Sequence, residues 1–562
     1  MAALPLFQPD AHPPKFGPRT GTLTIARDEG GTVQKTHTPA ILTATSRGIV
    51  PHFSRDHLHL TRIIQHVQLP FESFIDRTPP VPTLVDGPHP LHTFLGYTPE
   101  NHIITMTLRD PSDGRKMPPN GNDFVSAHCT RGVRKVAASA WKTYVQKCKP
   151  DMVVALSDTP FTLPPHSQKR LTKSIERSIA WLSNILKAPP ASPDAPESTA
   201  RPGHVLLHLA GGANSSARAE FAERLTDPVD HRDAAELALF NTLDEGVAGY
   251  VFDLLPLRSA LNAEAGQLPV DEADLAGGLV RVSDRHRSSP SSSARIAELL
   301  QSSLHVLPQE KPRVLNSPAS PHEVLRLVRD VGVDLVDSHW AQRAADMGIA
   351  LDFRFPVPQD ESVSPPGGGS PPRTRKAGKS DLGHNLFDSS YVHDHNRLAS
   401  AFLDGQSAAN TENSGHPVCE CGACSPHSPS SRILHSAVDV QAWQDPACAT
   451  APGAAQPPFT RAYVHHLLHT HEMSAHALLA MHNLSVFSAL LAGIREVLSR
   501  SHAEEEFARE VARFEEKYDE ELSLWAEAEV MWLQVERARG KGRLAREKEK
   551  QAESTIGTAV DI

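Results

Sequence analysis

Three thiols fall within six residues, in Val418-Cys419-Glu420-Cys421-Gly422-Ala423-Cys424. Zinc takes four ligands in a tetrahedron and favours thiolates and imidazoles. Two thiols one residue apart, with a third three further on, reach one metal only from a loop. Gly422 and Ala423 give that loop room. Three thiolates alone would leave an open site, so a fourth ligand must come from elsewhere. The candidates are Cys448 and the histidines His465, His466, His469, His471, His476 and His482. Spacing does not choose among them.

The remaining chain must position this cluster. Apolar residues make up 39% of its 562 residues and charged ones 22%, enough for a large core and too apolar for wholesale disorder. Short apolar runs alternate with helical patterns. Asn101–Asp110 reads as a strand and Val133–Cys148 as a helix. Met152–Leu156 is a strand followed by a helix over Gln168–Leu186. Val205–Ala210, Val247–Leu254, Pro312–Asn316 and Val333–Asp337 read as further strands, with helices over Ala217–Leu225, Ala294–Leu304 and Pro321–Val331. Such alternation implies parallel βα units, and their number suits a TIM-like (β/α)₈ barrel. A doubly wound open sheet is the alternative, but no Gly-x-Gly-x-x-Gly turn follows a strand.

Four segments interrupt the rhythm: 188–203, 358–379, 404–417 and 425–460. They read as flexible surface insertions, and they hold much of the excess among the 47 prolines. After Arg461 the chain turns helical. Residues 501–562 read as a charged helical tail, with Ala503–Gln551 a solvated helix laced by (i, i+4) charge pairs.

Net charge is −10, whereas proteins that grip nucleic acid over their whole surface are usually basic. Nucleic-acid contact would then be local or shared with a partner. Candidate contacts are the basic runs Arg373–Lys376 and Arg537–Lys550. Met1–Leu6 lacks the pattern of a signal peptide, and no run of about 18 apolar residues suggests a membrane span. Six cysteines without a secretory signal favour a reducing compartment, where clustered thiols mean metal.

The thiol cluster is followed by Arg461-Ala462-Tyr463-Val464-His465-His466-Leu467-Leu468, then His471-Glu472-Met473, then Met481-His482-Asn483-Leu484. Together these resemble the zinc segment of the tRNA-guanine transglycosylases, the queuine tRNA-ribosyltransferase family. Gly48–His52, Asp151–Asp158 and Lys311–Asp337 also resemble family strands, so the likeness spans about residues 15–500. It implies a (β/α)₈ barrel carrying a zinc subdomain over 418–484. It implies one structural Zn2+ held by Cys419, Cys421, Cys424 and His482, with Cys448 left in an insertion. The insertion 425–460 departs from the family, which places Arg-Ala-Tyr soon after the last cysteine.

Catalytic members of the family exchange guanine for queuine, or a precursor, at the wobble position (34) of tRNA. An aspartate attacks the ribose C1′, and a second aspartate handles proton transfer. Asp337 aligns with the nucleophile, but His339-Trp340-Ala341-Gln342 replaces the Leu-Pro-Thr-Arg that follows it. The Asp-Ser-Gly-Gly-Phe-Gln base segment is missing around Leu108–Phe124. The base-reading glutamine is Ala210, and the next strand's glycine pair is replaced near Asp253-Leu254. Asp158 keeps the base-binding aspartate's place. Leu156-Ser157-Asp158 and Gly332–Ser338 resemble the accessory, non-catalytic subunits of the family.

The resemblance therefore implies no catalytic residue of its own, with Asp337 and Asp158 as remnants. It implies a heterodimer with a catalytic subunit, reaching tRNAs with GUN anticodons (Asp, Asn, His, Tyr) through the complex. The alternative is an autonomous transglycosylase using Asp337. A cytoplasmic place is expected, with peripheral attachment to the mitochondrial outer surface left open.

Overall fold

Eight short apolar runs form the strands of one closed barrel: β1 (Ala40–Ala44), β2 (His66–Pro70), β3 (Ile103–Thr107), β4 (Met152–Ala155), β5 (His204–His208), β6 (Gly249–Asp253), β7 (Arg313–Asn316) and β8 (Leu335–Asp337). Every neighbouring pair is parallel, and β8 closes on β1 through Leu335↔Ala40, Val336↔Ile41 and Asp337↔Leu42. The computed structural model describes residues 6–10, 14–27, 33–115, 117–159, 165–187, 203–229, 237, 240–265, 290–358, 370–400, 419, 421–426 and 456–535.

The strands are buried on both faces, so their sequences read as continuous apolar runs. Alternate residues separate two cores. Leu42, Ile103, Met152, Val154, Leu206, Val251, Val314 and Leu335 fill the barrel interior. Val67, Val153, Phe252 and Val336 face the surrounding helices. An antiparallel sheet of Phe7–Pro9, Gly21–Ala26 and Val33–Thr38 plugs the N-terminal mouth with Leu23 and Ile25, which belong to the interior cluster.

Local signals end the helices where expected. Ser320 Oγ accepts the Glu323 N–H at the start of Pro321–Val331, with Pro321 in the first turn. Gly332 ends that helix at φ 75°, where a Cβ would stand 2.4 Å from Gly17 O, so only glycine fits.

Three local expectations change. The helix expected over Val133–Cys148 begins only at Ala138. Gly132–Ala137 is instead a strand, paired antiparallel with Phe124–Cys129 in a hairpin after β3. Val133 and Val136 have the i, i+3 spacing of a helix face, but in the strand they face opposite sides, Val136 buried and Val133 exposed, and the cross-strand partner decides.

The helix expected over Ala503–Gln551 stops at Lys517. The chain turns at Tyr518–Leu522, and a second helix follows over 523–535. Nor is it wholly solvated. Phe507, Val511, Phe514, Trp525 and Ala528 are buried in the main core, and Trp340 and Trp525 stack at 4.8 Å. The (i, i+4) charges describe only its outer face.

The third concerns Arg373–Lys376. Arg375 pairs with Asp381 at 2.6 Å and Glu527 at 2.5 Å, so it pins the 523–535 helix rather than offering a free cation. Residues 537–550 lie outside the described residues, as do 188–202, 359–369, 404–417, 427–455 and with them Cys448.

Met473–Leu498 is long and apolar enough to cross a membrane, but 78% of its apolar window is buried inside the protein. Its apolarity is explained by the core contacts of Leu479, Leu484, Phe487, Leu490 and Ile494.

Candidate metal centre and barrel mouth

Cys419, Cys421 and Cys424 sit in a tight turn, where the Cys424 N–H donates to Cys421 O. His482 arrives from the helix Met473–Leu498. The ligand atoms of all four lie within 4.8 Å of one another, and all four residues are buried. His482 Nδ1 is 3.2 Å from Cys424 Sγ. His482 Nε2 is 2.8 Å from Leu351 O, a contact that places the proton on Nε2 and leaves the Nδ1 lone pair facing the thiols. The adjacent Asn483 accepts the Leu351 N–H and donates to Ala341 O and Ile349 O. One helical turn thus joins the thiol loop to the strand Ile349–Leu351 and the helix after β8. At Gly422 a Cβ would lie 2.9 Å from Met481 Sδ, so the loop is packed against the His482 turn.

These residues suit a metal ion. Three buried thiols facing one imidazole lone pair form a soft, four-donor, closed set of the kind that structural zinc takes. Of the other candidate histidines, His466 and His471 are exposed, and the remaining three are engaged elsewhere. His465 Nδ1 meets Leu386 O at 2.8 Å, His469 Nε2 meets Phe387 O at 3.1 Å, and His476 Nδ1 meets Ala345 O at 3.0 Å.

At the C-terminal mouth, where barrel enzymes place their chemistry, the strand period turns a layer of polar side chains inward. His208, Asp253, Asn316 and Asp337 each stand two residues beyond an interior residue of their strand (Leu206, Val251, Val314 and Leu335), and Gln68 stands two beyond the buried His66. His208 Nε2 is 3.2 Å from Asp253 Oδ2. Asn316 Nδ2 donates to Asp253 Oδ1 at 2.8 Å, and Gln68 Nε2 donates to Asn316 Oδ1 at 3.1 Å. Burial alone would raise the Asp253 carboxyl, but His208 and Asn316 hold it below the usual range. A charged chain of hydrogen bonds therefore spans the mouth. The sequence reading flagged Asp253 only as a lost glycine and missed His208, Asn316 and Gln68. The period-2 register of the strand ends is the signal that finds them.

Asp337 ends β8 and is 1% exposed. Its Oδ2 accepts the Ser317 N–H at 2.6 Å and its Oδ1 the His339 N–H at 3.3 Å. The Ser317 hydroxyl donates to Pro111 O, latching the loop after β3 across the mouth. The same loop is held by Glu72 Oε1, which accepts the Asp110 N–H at 3.1 Å. A small cavity of about 80 Å³ beside it is lined by Arg109, Asp110, Ser157, His208, Asp253 and Asn316, among others, and Asp337 is not in its wall. That is well below the ~300–1,000 Å³ of sites for small organic ligands.

Asp158 is fully buried. Arg170 donates to its two oxygens at 2.8 and 2.9 Å, Arg177 at 3.0 Å and Asn120 Nδ2 at 2.7 Å. Burial would raise its pKa, yet Arg170 and these other donors hold it low. Its acceptor sites are spent on the protein, which leaves nothing to read a base.

Asp337 makes one pH prediction. Burial, with the Asp110 and Asp253 charges adding to it against two N–H donors, lifts its carboxyl to about 7. An unfolded aspartate titrates near ~3.9. The folded state therefore holds a proton that the unfolded state sheds between those values. Stability from this group is full below about pH 4, falls as pH rises, and is lost above about pH 7. At ~1.36 kcal/mol per unit the effect is bounded at roughly 4 kcal/mol. Melting temperatures from pH 5 to 8 should fall more steeply for the wild type than for Asp337→Asn. Parallel curves would show that Asp337 is ionised throughout.

The chain matches the family model described as queuine tRNA-ribosyltransferase over residues 15–237 and 257–519. It is 24% identical over 472 residues to queuine tRNA-ribosyltransferase accessory subunit 2 of Ixodes scapularis, covering 83% of this chain and 91% of that one. Accessory subunit 2 of Schizosaccharomyces pombe is 24% identical, covering 86% of this chain and 78% of that one. Accessory subunit 2 of Danio rerio is 22% identical, covering 86% and 93%.

Proposed function

The chain belongs to the queuine tRNA-ribosyltransferase family, and we propose that within it the chain is a non-catalytic accessory subunit. It pairs with a catalytic homologue and supports exchange of guanine for queuine at the wobble position of tRNAs with GUN anticodons. The observation that carries this reading is the state of Asp337. A nucleophile needs an exposed, ionised carboxylate aimed at the ribose C1′. Here the carboxylate is buried, bonded to two backbone N–H groups, and roofed by a loop latched through Ser317 and Glu72. The Asp253 chain occupies the strand-end layer where the family has its glycine pair.

The naming of the relatives supports the partner, and the intact Cys3His set supports structural zinc in a scaffold that keeps its folding and docking parts. The reading places the protein in the cytoplasm, with peripheral attachment to the mitochondrial outer surface compatible with it.

Mixing the purified chain with its catalytic homologue should give base exchange that neither shows alone. Asp337→Asn in this chain should leave that exchange within about twofold of wild type, since no bond forms at that carboxylate. The competing reading, an autonomous transglycosylase, requires exchange by this chain alone and a tRNA adduct trapped on Asp337. Either result would sink the accessory role.

A further inference from the structure

We propose that the rim formed by the hairpin Phe124–Cys129/Gly132–Ala137 and the first turns of the helix Gln168–Leu186 binds the phosphate backbone of a structured RNA. This inference rests on the accessory-subunit reading and deepens it, by assigning the surface through which this chain would hold the tRNA.

The first observation is charge. The whole chain carries −10, yet residues 124–187 contain eleven Lys and Arg against three Asp and Glu. Two of those three acids lie inside the protein. Asp151 is bound by Arg27, and Asp158 takes both Arg170 and Arg177, so two cations share one anion. Of the eleven cations, Arg170 and Arg177 serve Asp158 and Lys142 donates to Asn184 O and Lys187 O, while Arg131, Arg134, Lys135, Lys169 and Lys173 are exposed.

The second is placement. The hairpin follows β3 and the helix follows β4, so both begin at the C-terminal mouth of the barrel. They are fastened together there. Arg177 Nε donates to Asn122 Oδ1 at 3.0 Å, and Trp181 Nε1 donates to Asn122 O at 2.8 Å. Arg131, Arg134, Lys135, Lys169 and Lys173 are all exposed on this rim. The ion pairs nearby are Arg115–Asp113 and those of Asp158. Among the described residues the five rim cations enter none.

The acids of the rim are Asp76, Asp123 and Glu176. Asp76 accepts the Arg131 backbone N–H at 3.3 Å, and among the described residues its carboxylate forms no ion pair with the Arg131 guanidinium. Lys135 Nζ stands 4.6 Å over the Phe124 ring, which holds the stem in place while the ammonium stays at the surface. Unpaired cations on a stiff hairpin lose little freedom on meeting phosphates and release condensed counterions from the RNA. A polyanion of regular charge spacing fits such a band, and a small anion does not need it.

The test uses the wild-type chain mixed with its catalytic homologue, and tRNA binding is read directly by filter retention as well as by exchange kinetics. Arg131→Ala/Arg134→Ala/Lys135→Ala should raise the tRNA KM and Kd roughly tenfold or more at 150 mM salt, with kcat unchanged. The slope of log affinity against log salt should drop by about two to three, about one per phosphate contact. Arg131→Lys/Arg134→Lys should restore most of the affinity. Lys169→Ala/Lys173→Ala provides the same test on the helix, should the hairpin variant fold poorly.

Unchanged tRNA affinity and salt slope in folded variants would overturn the proposal. So would loss of pairing with the catalytic homologue, or of binding to phosphatidylserine vesicles, while tRNA affinity stays at the wild-type value. If the wild-type mixture gives no exchange, the accessory reading fails. Filter retention of tRNA by the same mixture still decides the rim.

Discussion

Replacing Cys421 with serine is expected to empty the metal site, lower the melting temperature by about 3–6 °C, and weaken pairing with the catalytic homologue. A serine hydroxyl is a poor ligand for a soft metal and sits about one thiolate short of a closed tetrahedron. Structural zinc contributes ~10–16 kcal/mol to folding in small metal-dependent domains. Here the barrel supplies much of the stability independently, so a loss of several kcal/mol is the realistic scale.

In a chain of this size each kcal/mol moves the melting point by roughly 2 °C or less. The effect should be local at first. His482 and Asn483 tie the thiol loop to Ile349–Leu351 and to Ala341 in the helix after β8. Loss of the ligand frees the turn that holds those bonds.

Elemental analysis should find about one metal equivalent in the wild type and little in the variant. Cys129→Ser, a half-buried thiol outside the cluster, serves as the control. Normal melting and normal pairing of Cys421→Ser would refute the scaffold role. Copper, iron or no metal in the wild type would refute zinc.

The second large effect is expected at Asp158. Asp158→Ala should cost about 2–4 kcal/mol, because it strands three donors around a buried void. The upper part of the usual range for breaking a buried pair is discounted here. Arg170 and Arg177 have side chains 26% and 15% exposed, so each can recover some hydration. The Asn120 amide, 2.7 Å from Asp158 Oδ1, cannot do so as readily, since Asn120 is buried.

The damage should spread to the hairpin. Asn120 Oδ1 also accepts from Arg109 and from the Ser126 N–H, and Ser174 donates its hydroxyl to Asp158 O. Hydrogen exchange should therefore quicken in Phe124–Cys129 and at the start of Gln168–Leu186. Unchanged melting with lost exchange in the mixed complex would mean that Asp158 still reads a base, contrary to its saturated hydrogen bonds.

Asp158 and Asp337 show why alignment to a motif cannot settle a role. By the resemblance in sequence, both stand where catalytic members of the family would place their aspartates. What differs is what reaches them. Asp158 is neutralised by residues 12 and 19 positions on, across a strand-to-helix turn. Asp337 is covered by a latch between Pro111 and Ser317, which are 206 residues apart. No local pattern reports a contact of that separation.

The tail is a similar case. Glu504, Glu505 and Glu506 open a helix whose polar face alone was read as solvated. Its stripe of Phe507, Val511 and Phe514 needed a receiving surface, and Phe353, Phe355 and His322 provide it.

By itself the sequence determined the thiol cluster and the parallel alternation. It also determined the absence of the family's Asp-Ser-Gly-Gly-Phe-Gln segment. All three depend on residue type and on periods of two and 3.6, which act within a few residues. It left the fourth metal-facing residue open on spacing, and only resemblance favoured His482. The tertiary structure brought His482 within 3.2 Å of Cys424, 58 residues away, because an apolar helix buries one face against Ile349–Leu351. It also closed the mouth over Asp337 and turned Asp253, His208 and Asn316 toward one another. Those outcomes depend on barrel closure, which sets register between strands far apart in the chain, and register is a property that no single segment carries.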